Sequence, residues 1–505
     1  MSEPLQSRPR RVVVVGGGVS GLAAAHRLTR RAAQSDTPLE VILLEASARL
    51  GGTVRTHRRD GFLLEGGPDS FISEKPEAAD LAREVGLGER LIGTNDQHRR
   101  AFIVRKGRLR PVPEGFQLLA PSRLWPFVTT DIFTWRGKAR IALEYFLPRR
   151  EAPDRADESL AAFVRRRFGR EALERAAQPL VGGIYTADPE SLSLAATMPR
   201  FIEMERAHGS VIRAMLKARR AAADASNQTG TSGARYSLFL SLDGGLQTLT
   251  DRVAEELPPG TALLNRRVLS LRFDESVRRW RLSLTRTGED SYLRGTHAGG
   301  VGADESGGNE TLDADAVCLA LPAHAAARLL GGTDRLLAEE LAAIEYASTA
   351  TVNLAYRRAD IPHPLDGFGF VVPHAERMNL IACTFSSVKF AGRAPEGHAL
   401  LRAFVGGALQ PDKFALDDGA MLTAVCGDLS TLLGVSAPPL FSHVERWTRS
   451  MPQYKVGHLA RVARIRERLA RLPALCLAGN AYEGAGLPDC IRAGRRAADE
   501  IAARL

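Results

Sequence analysis

The residues with the clearest chemical meaning form a glycine turn near the start of the chain. Four consecutive valines, residues 12–15, lead into GGGVSG at residues 16–21, and an Ala/Leu-rich stretch follows. This order predicts a strand, a tight turn and a helix, which is the context in which a G-x-G-x-x-G pattern holds a pyrophosphate. Gly16 permits the turn, Gly18 lets the phosphates approach the backbone, and Gly21 lets the helix pack closely on the strand. The N–H groups at the helix N-terminus would bind the phosphates.

A carboxylate is predicted to complete this site. A second apolar run, residues 41–44, ends at Glu45. An acidic residue at this position accepts hydrogen bonds from the ribose hydroxyls of an adenosine and repels a 2′-phosphate. The sequence therefore favours FAD or NAD over NADP.

Motifs beyond Glu45 indicate which dinucleotide is bound. The E-x-x-x-R-x-G-G run from Glu45 through Arg49 to Gly51 and Gly52 resembles the glutathione-reductase-type FAD enzymes, in particular their amine-oxidase-like branch. In that family the arginine and the paired glycines lie along the diphosphate and flavin side of the cofactor. The segment EGGPDSF, residues 65–71, resembles the flavin-contacting turn of the protoporphyrinogen/coproporphyrinogen oxidases. Further matches to the same family lie at residues 179–185, 188–193, 447–454 and 477–491.

The resemblance implies a flavoprotein oxidase that converts a porphyrinogen into a porphyrin in heme biosynthesis. Protoporphyrinogen IX is the expected substrate and coproporphyrinogen III is the alternative, because the two differ in two vinyl groups against two propionates. Six electrons must leave the macrocycle and a flavin accepts two as a hydride at N5, so three cycles with dioxygen would give three hydrogen peroxides. Imine–enamine tautomerism in the substrate can supply the deprotonation, so no acid or base residue is expected. The sequence indicates no metal ligand.

The predicted binding residues for non-covalent FAD lie in six parts of the chain. They are Gly16, Gly17, Gly18, Val19, Ser20, Gly21, Glu45, Ala46, Arg49, Gly51, Gly52, Thr53, Gly67, Pro68, Asp69, Ser70, Val268, Trp447, Gly479, Ala485, Gly486 and Leu487. The family uses the position of Val268 to bracket the adenine. In the superfamily the C-terminal loop lies at the pyrimidine end of the flavin, where N–H groups and a helix dipole stabilise negative charge on the reduced ring.

The substrate propionates are expected to meet a predicted hairpin. Residues 101–113 alternate apolar and polar side chains around a Lys106-Gly107 turn. Many eukaryotic members of the family place an arginine where this chain has Ala101. We therefore expect Arg99 or Arg100 to anchor a propionate instead.

An antiparallel sheet is predicted to carry the rest of the substrate site. Strand-like runs separated by turn signals lie at residues 351–356, 368–372, 380–385 and 399–405. By resemblance, Val371, Thr384 and Phe404 fall where apolar or aromatic residues sandwich the tetrapyrrole. Without the resemblance, each would be read as an ordinary strand residue of a core.

Other functions share parts of these motifs. An amine oxidase or a carotene desaturase has the same FAD motifs, although the covalent flavin and aromatic cage often found in amine oxidases have no counterpart here. A non-catalytic flavin-binding tetrapyrrole carrier is an alternative of a different class.

The predicted fold is α/β, with a glutathione-reductase-type FAD-binding Rossmann domain, an antiparallel-sheet substrate domain and a helical insertion. We assign residues 1–95, 238–330 and 441–505 to the FAD-binding domain, residues 96–115 and 331–440 to the substrate domain, and residues 116–237 to the helical domain. Residues 285–311 are rich in Gly, Asp, Glu and His without periodicity, which predicts a long surface excursion.

An aromatic and basic segment, residues 116–150, predicts contact with an anionic membrane surface. Trp125, Phe127, Phe133 and Trp135 are interleaved there with arginines and lysines. Such a pattern suits a helix pair lying in a membrane interface. The alternative is an ordinary apolar helix packed in the substrate domain.

Composition bounds the remaining expectations. Five scattered cysteines without a CxxC pair argue for a reducing compartment and against a disulfide framework or a cysteine-ligated metal. No apolar run is long enough to span a bilayer, and the N-terminus does not suit a signal peptide, so a cytoplasmic protein is expected, peripheral on the inner membrane if the aromatic segment binds lipid. A formal charge of +10 leaves anionic partners open, but no nucleic-acid module is recognisable. A homodimer and contact with the next enzyme of the heme pathway stay open.

Overall fold

The computed structural model describes residues 8–34, 38–117, 120–121, 123–149, 157–229, 238–287 and 310–505. Most of the predicted excursion at residues 285–311 lies outside this part of the chain.

The strands and helices are numbered in chain order. The strands are β1 (Arg10–Val15), β2 (Leu39–Leu44), β3 (Thr56–Arg59), β4 (Phe62–Glu65), β5 (Phe71–Ile72), β6 (Leu91–Gly93), β7 (Phe102–Arg105), β8 (Arg108–Pro111), β9 (Phe116–Gln117), β10 (Ala120–Pro121), β11 (Phe239–Leu242), β12 (Ala262–Leu263), β13 (Arg266–Asp274), β14 (Arg279–Arg286), β15 (Glu310–Ala314), β16 (Ala316–Leu319), β17 (Tyr346–Arg357), β18 (Gly369–Val371), β19 (Leu380–Phe385), β20 (His398–Gly406), β21 (Phe441–Pro452) and β22 (Leu475–Leu477). The helices are α1 (Val19–Ala32), α2 (Glu77–Glu84), α3 (Leu124–Thr129), α4 (Trp135–Ala142), α5 (Leu160–Arg167), α6 (Arg170–Ala172), α7 (Gln178–Tyr185), α8 (Leu194–Thr197), α9 (Pro199–His208), α10 (Val211–Thr229), α11 (Gln247–Glu255), α12 (Ala323–Leu330), α13 (Arg335–Ala342), α14 (Ser386–Lys389), α15 (Pro411–Phe414), α16 (Asp418–Leu433), α17 (His458–Leu469) and α18 (Leu487–Arg504).

A parallel sheet in the order β12-β2-β1-β16-β22 forms the first layer. The valines of β1 are buried between helices, as continuous apolar runs in parallel sheets usually are. Because all five strands run the same way, their carboxyl ends meet at one edge. The glycine turn, Glu45 and the C-terminal loop therefore start from the same edge of this sheet.

A mixed sheet in the order β21-β17-β20-β19-β18-β7-β8 forms the second large layer. All its pairs are antiparallel except β7 with β18. It contains the four predicted strands and the predicted hairpin, whose turn residues Lys106 and Gly107 have positive φ. Strand β21 pairs with β17, although residues 441–452 were assigned to the FAD-binding domain. The division into three domains stays a prediction.

Alternation along the strands gives this sheet two different faces. On β17 and β20, Val352, Leu354, Leu401 and Ala403 belong to an apolar cluster that packs under α16. The intervening residues are mostly polar and point the other way, because successive side chains on a strand alternate between faces. That polar face meets the segment that follows β4.

A helical layer, α3 to α10, has its own apolar cluster and packs against the β7–β18 end of the mixed sheet. The prediction that Phe127 and Phe133 face a membrane is wrong, because both side chains are only 3% exposed inside this cluster. Trp125 and Trp135 are 77% and 72% exposed, so only half of the predicted set lies on the surface. Among the described residues, we find no helix that is long and apolar enough to cross a membrane.

Candidate active site

The glycine turn after β1 leaves the N-terminus of α1 open. Gly18 is the N-cap, and no side chain among the described residues caps the helix, whose first backbone bond runs from the Leu22 N–H to the Gly18 carbonyl at 2.9 Å. A Cβ added to Gly18 would meet nothing within 4 Å, whereas one on Gly21 would lie 1.8 Å from the Gly16 carbonyl oxygen. Gly16 has a φ of +106°, which favours glycine. The turn thus has free backbone donors beside open space, as an anion site requires.

Glu45 lies at the end of β2, beside this turn. Its Oε2 accepts the Gly17 N–H at 2.7 Å, and its Oε1 accepts the N–H and the hydroxyl of Ser47, each at 2.8 Å. A carboxylate offers about four acceptor positions, so about one remains for a ligand. The Arg266 N–H donates to the Glu45 carbonyl at 2.8 Å, which brings the start of β13, the strand of Val268, alongside.

The paired glycines lie directly on the glycine turn. The Gly51 N–H donates to the Gly17 carbonyl at 2.8 Å, and a Cβ on Gly52 would lie 3.1 Å from the Gly18 Cα. Arg49 donates to the carbonyls of Gly52 and Val54 at 2.8 and 2.6 Å, so it holds this second turn in place.

The segment that follows β4 is held by its carbonyl groups to the polar face of the mixed sheet. Thr351 Oγ1 and Trp447 Nε1 both donate to the Gly66 carbonyl at 2.8 Å. Asn353 Nδ2 donates to the Glu65 carbonyl at 3.2 Å, and Arg402 donates to the Gly67 carbonyl. Three strands of the second layer therefore fix the turn that the resemblance assigns to the flavin.

Two cations surround the carboxylate of this turn. Lys389 Nζ lies 3.0 Å from Asp69 Oδ2, and Arg402 lies 3.7 Å from the same oxygen. Burial alone would raise the pKa of Asp69, but the charges of Lys389 and Arg402, with hydrogen bonds from Lys389 and Ser70, hold it well below its usual range. Sequence reasoning missed both cations, because neither belongs to a motif and each lies over 300 residues from Asp69.

A second open helix N-terminus follows β22. Gly486 is the N-cap of the 18-residue helix α18, and in the part of the chain that the structure describes no side chain caps it. Gly479 and Gly484 have φ values of +134° and +146°, so this loop needs glycine, and the Gly484 N–H donates to Tyr454 Oη at 2.9 Å. Helices α1 and α18 pack so closely that a Cβ on Gly494 would lie 2.1 Å from the Ser20 carbonyl oxygen.

These residues fit a flavin dinucleotide. Two long helices with uncapped N-termini start from one sheet edge, and a carboxylate with a remaining acceptor position stands beside the first. Gly52 and Thr53 are exposed and Pro68 is half-buried, so the path between the two turns is accessible. The remaining predicted cofactor residues, Ala46, Ser70, Val268, Ala485 and Leu487, lie in the same turns or the strand beside them.

The three predicted tetrapyrrole contacts share one face of the mixed sheet. Val371 pairs with Ala382, which pairs with Phe404, and Thr384 lies two residues along from Ala382. All three side chains are half-buried. A Cβ on Gly183 of α7 would lie 3.5 Å from Val371, and the neighbouring Ile184 is 52% exposed. The helical layer thus approaches this face at Gly183.

The structure places Arg99 and Arg100 at an open groove of about 850 Å³ between the hairpin and α3. Arg99 is paired with Asp96, and Arg100 lies 3.2 Å from Asp366. Both arginines are exposed. Neither belongs to the face that carries Val371, Thr384 and Phe404.

Comparison with known proteins identifies the family. The family model for flavin containing amine oxidoreductases matches residues 19–502. The chain belongs to this family. It is 38% identical to a coproporphyrinogen III oxidase of Propionibacterium freudenreichii subsp. freudenreichii, over 97% of this chain and 90% of the relative, and 34% identical to one of Bacillus subtilis (strain 168), over 97% of both chains. A crystal structure from Exiguobacterium sp. 255-15, provisionally named a protoporphyrinogen oxidase, has a TM-score of 0.82 at 32% identity and covers 99% of this chain and 100% of that one.

These matches group the flavoenzyme with the porphyrinogen oxidases. The predicted family and the predicted fold class are confirmed. Membership in a flavin-containing family also confirms a flavin cofactor and an oxidoreductase.

Proposed function

We propose that this flavoenzyme binds FAD without a covalent bond and oxidises coproporphyrinogen III to coproporphyrin III with dioxygen. The observation that carries the proposal is the pair of uncapped helix N-termini at one sheet edge, that of α1, with Glu45 beside it, and that of α18. The coproporphyrinogen III oxidases of two bacteria, similar over almost their full length, favour this substrate.

In this proposal the chain positions the cofactor and the substrate. The N–H groups of the glycine turn would hold the diphosphate, Glu45 a ribose hydroxyl, and the N-terminus of α18 the electron-rich end of the flavin. When bound, FAD supplies two-electron oxidation, so the six-electron conversion would consume three O₂ and release three H₂O₂. Val371, Thr384 and Phe404 would pack on the macrocycle, and no side chain is assigned as an acid or base.

Protoporphyrinogen IX is the second candidate substrate. It is the substrate expected from the sequence motifs, and the provisional name of the Exiguobacterium structure favours it. The two substrates differ at two peripheral groups, which are vinyls in one and propionates in the other. A site for the more anionic substrate needs either additional cations or solvent at those two positions, because an unpaired buried carboxylate costs several kcal/mol.

Side-by-side turnover tests the substrate. We expect the purified flavoprotein to form porphyrin fluorescence faster, at equal concentration, from coproporphyrinogen III than from protoporphyrinogen IX, with H₂O₂ as co-product. A higher kcat/KM for protoporphyrinogen IX would reverse the assignment. Flavin that neither porphyrinogen bleaches without oxygen would instead indicate a non-catalytic tetrapyrrole carrier. Flavin retained in the pellet after acid precipitation would contradict non-covalent binding.

Arg99 and Arg100 are proposed as the propionate contacts at the hairpin. We expect the Arg99→Ala/Arg100→Ala variant to raise KM for coproporphyrinogen III several-fold with little change in kcat, because exposed charges contribute modestly to binding. Ala101→Arg should restore the KM in that background and change little in the native chain. An unaltered KM in the double variant would mean that the propionates reach solvent or another cation.

The exposed aromatic residues of the helical layer are proposed to contact an anionic membrane surface. Trp125, Trp135 and Phe146 are each more than 70% exposed, and Arg136 and Arg149 are exposed nearby. Aromatic side chains beside basic ones favour the interface of an anionic bilayer. A homodimer and contact with a following enzyme stay predictions.

A further inference from the structure

Two histidines and a glutamate converge where the β3–β4 hairpin meets β21. His443 and Glu445 are two residues apart on β21, so their side chains point to the same face. His57, on β3, approaches from the hairpin. The Nε2 atoms of His57 and His443 lie 3.0 and 3.2 Å from the same oxygen, Oε2 of Glu445, and the two ring centroids are 4.3 Å apart.

These separations match those of ligands around one small ion. Zinc lies about 2.0–2.2 Å from nitrogen and oxygen ligands in tetrahedral sites, so its ligand atoms are roughly 3.3 Å from one another. All three candidate ligand atoms lie within 4.8 Å of one another. The two imidazoles are about one third exposed, so water can reach the open side. An ion could enter with small side-chain adjustments.

Arg55 orients the carboxylate and limits the affinity. It donates to Glu445 Oε1 at 2.8 Å, which leaves Oε2 for the ion. A hydrogen-bonded second oxygen is the usual partner of a carboxylate ligand. The guanidinium also offsets the carboxylate charge, so the affinity should be micromolar rather than that of a structural zinc site.

We propose that His57, His443 and Glu445 bind a divalent first-row transition-metal cation of the Zn²⁺ type, with water completing the coordination. Three ligands and an open position are a common arrangement for zinc, and two histidines with one carboxylate also suit neighbouring metals of the series. The ion would link β3 to β21. Glu445 also lies against the flavin-contacting turn, since a Cβ on Gly66 would come 3.1 Å from its Oε2. The bound ion would therefore also stabilise that turn.

Zinc itself is the probe. The flavoprotein is treated with EDTA, dialysed against micromolar ZnCl₂, and assayed for metal by mass spectrometry and for its thermal midpoint. We expect one Zn²⁺ per chain and a raised midpoint, because a ligand that binds only the folded state stabilises it. His57→Gln, His443→Gln and Glu445→Gln should each weaken zinc binding at least about tenfold. His374→Gln, at an exposed histidine elsewhere, should bind zinc like the native protein.

Two outcomes would overturn the site. The first is no zinc retained by the native protein, and the second is equal zinc in the native protein and the three variants. Zinc-edge X-ray absorption of the native protein needs no variant. It should show nitrogen and oxygen neighbours at about 2.0–2.2 Å. A sulfur shell, which would implicate a cysteine, also overturns the proposal.

Discussion

Glu45 has two roles, one in the protein and one proposed for the cofactor. Its carboxylate fixes the Gly17 N–H and the Ser47 side chain, and it is also the proposed ribose contact. The sequence predicts two ribose hydrogen bonds, whereas the protein donors leave about one acceptor position. Loss of the carboxylate would therefore disturb the glycine turn as well as the adenosine.

We expect Glu45→Ala to weaken FAD retention by more than tenfold. A hydrogen bond to a charged group contributes about 1.5–3 kcal/mol, and 1.4 kcal/mol corresponds to a factor of ten in affinity. Flavin absorbance after exhaustive dialysis measures the effect. Glu40→Ala on the same strand, whose carboxylate pairs with Arg11, is the matched control. Equal flavin content in both variants would remove Glu45 from the site.

His458 should make stability depend on pH. Its ring stacks on Tyr454 at 4.1 Å, and its Nε2 is buried without a hydrogen-bond partner in the described structure. Burial lowers the pKa of His458 to about 4, against about 6.5 in an unfolded chain. The unfolded state therefore binds the proton first, and stability that is complete above pH 6.5 is lost as the pH falls towards 4.

The test compares unfolding of the native protein and His458→Gln between pH 7 and 4. Each pKa unit corresponds to about 1.4 kcal/mol, so this group accounts for a loss of at most about 3 kcal/mol. The native protein should lose more stability than the variant over this range. The exposed His208→Gln replacement should follow the native curve. Parallel curves for the native protein and His458→Gln would contradict the assignment.

Helices α3 and α4 and the turn between them have aromatic residues both in the core and at the surface. Phe127 and Phe133 anchor the pair in the helical layer, which lets Trp125 and Trp135 stand outside it. The aromatic residues of this segment therefore have two different roles: some pack in the core and others lie on the surface.

We expect anionic liposomes to sediment the protein and neutral ones to do so less. Trp125→Ser/Trp135→Ser should remove most of the binding, because apolar burial at the interface is lost. High salt should weaken binding only in part, since it screens charge but not apolar burial. Leu336→Ser, at another exposed apolar residue, is the control. Sedimentation that the double variant does not reduce would separate this surface from any membrane contact.

A buried ion pair joins three parts of the helical layer. Glu144 and Arg167 are at most 1% exposed and hydrogen-bonded to each other. Glu144 also accepts the Val211 and Ile212 N–H groups at the start of α10, at 2.9 and 3.1 Å. A carboxylate there complements the positive end of the helix dipole.

Glu144→Gln should destabilise the protein by about 3 kcal/mol, because it removes the nearest counterion of the buried Arg167, whose other carboxylate partner, Glu205, lies farther away at 3.4 Å. Denaturant unfolding measures the change. Glu174→Gln breaks the exposed pair with Arg170 and should leave the unfolding midpoint unchanged. Similar midpoints for both variants would contradict the assigned role.

For the molecule as a whole, the sequence predicted the strands, turns and helices that depend on local sequence patterns. The strand, glycine turn and helix at residues 10–32, the hairpin at Lys106-Gly107 and four other strands of the mixed sheet follow from periodicity and turn residues. The family resemblance added the flavin-contacting turn at residues 65–71.

The sequence did not predict contacts between residues that are far apart in the chain. Lys389 and Arg402 meet Asp69 only because the mixed sheet lies on that turn, and His57 meets Glu445 across 388 residues. The pairing of β21 with β17 and the burial of Phe127 and Phe133 likewise depend on how layers pack. No local pattern encodes such neighbours, because tertiary packing decides them.

The order of the parallel sheet has a consequence for biosynthesis. Strand β1 pairs with β2 soon after synthesis, but its other neighbour, β16, begins at Ala316, and β16 pairs in turn with β22 at residues 475–477. During synthesis on the ribosome, one edge of β1 therefore stays unpaired until β16 has been made, and the sheet is complete only after β22 has been made. Such delayed long-range pairing folds slowly and leaves nascent apolar strands open to aggregation. Premature termination before β22 should thus yield chains that depend on chaperones and cannot load flavin, whatever their length.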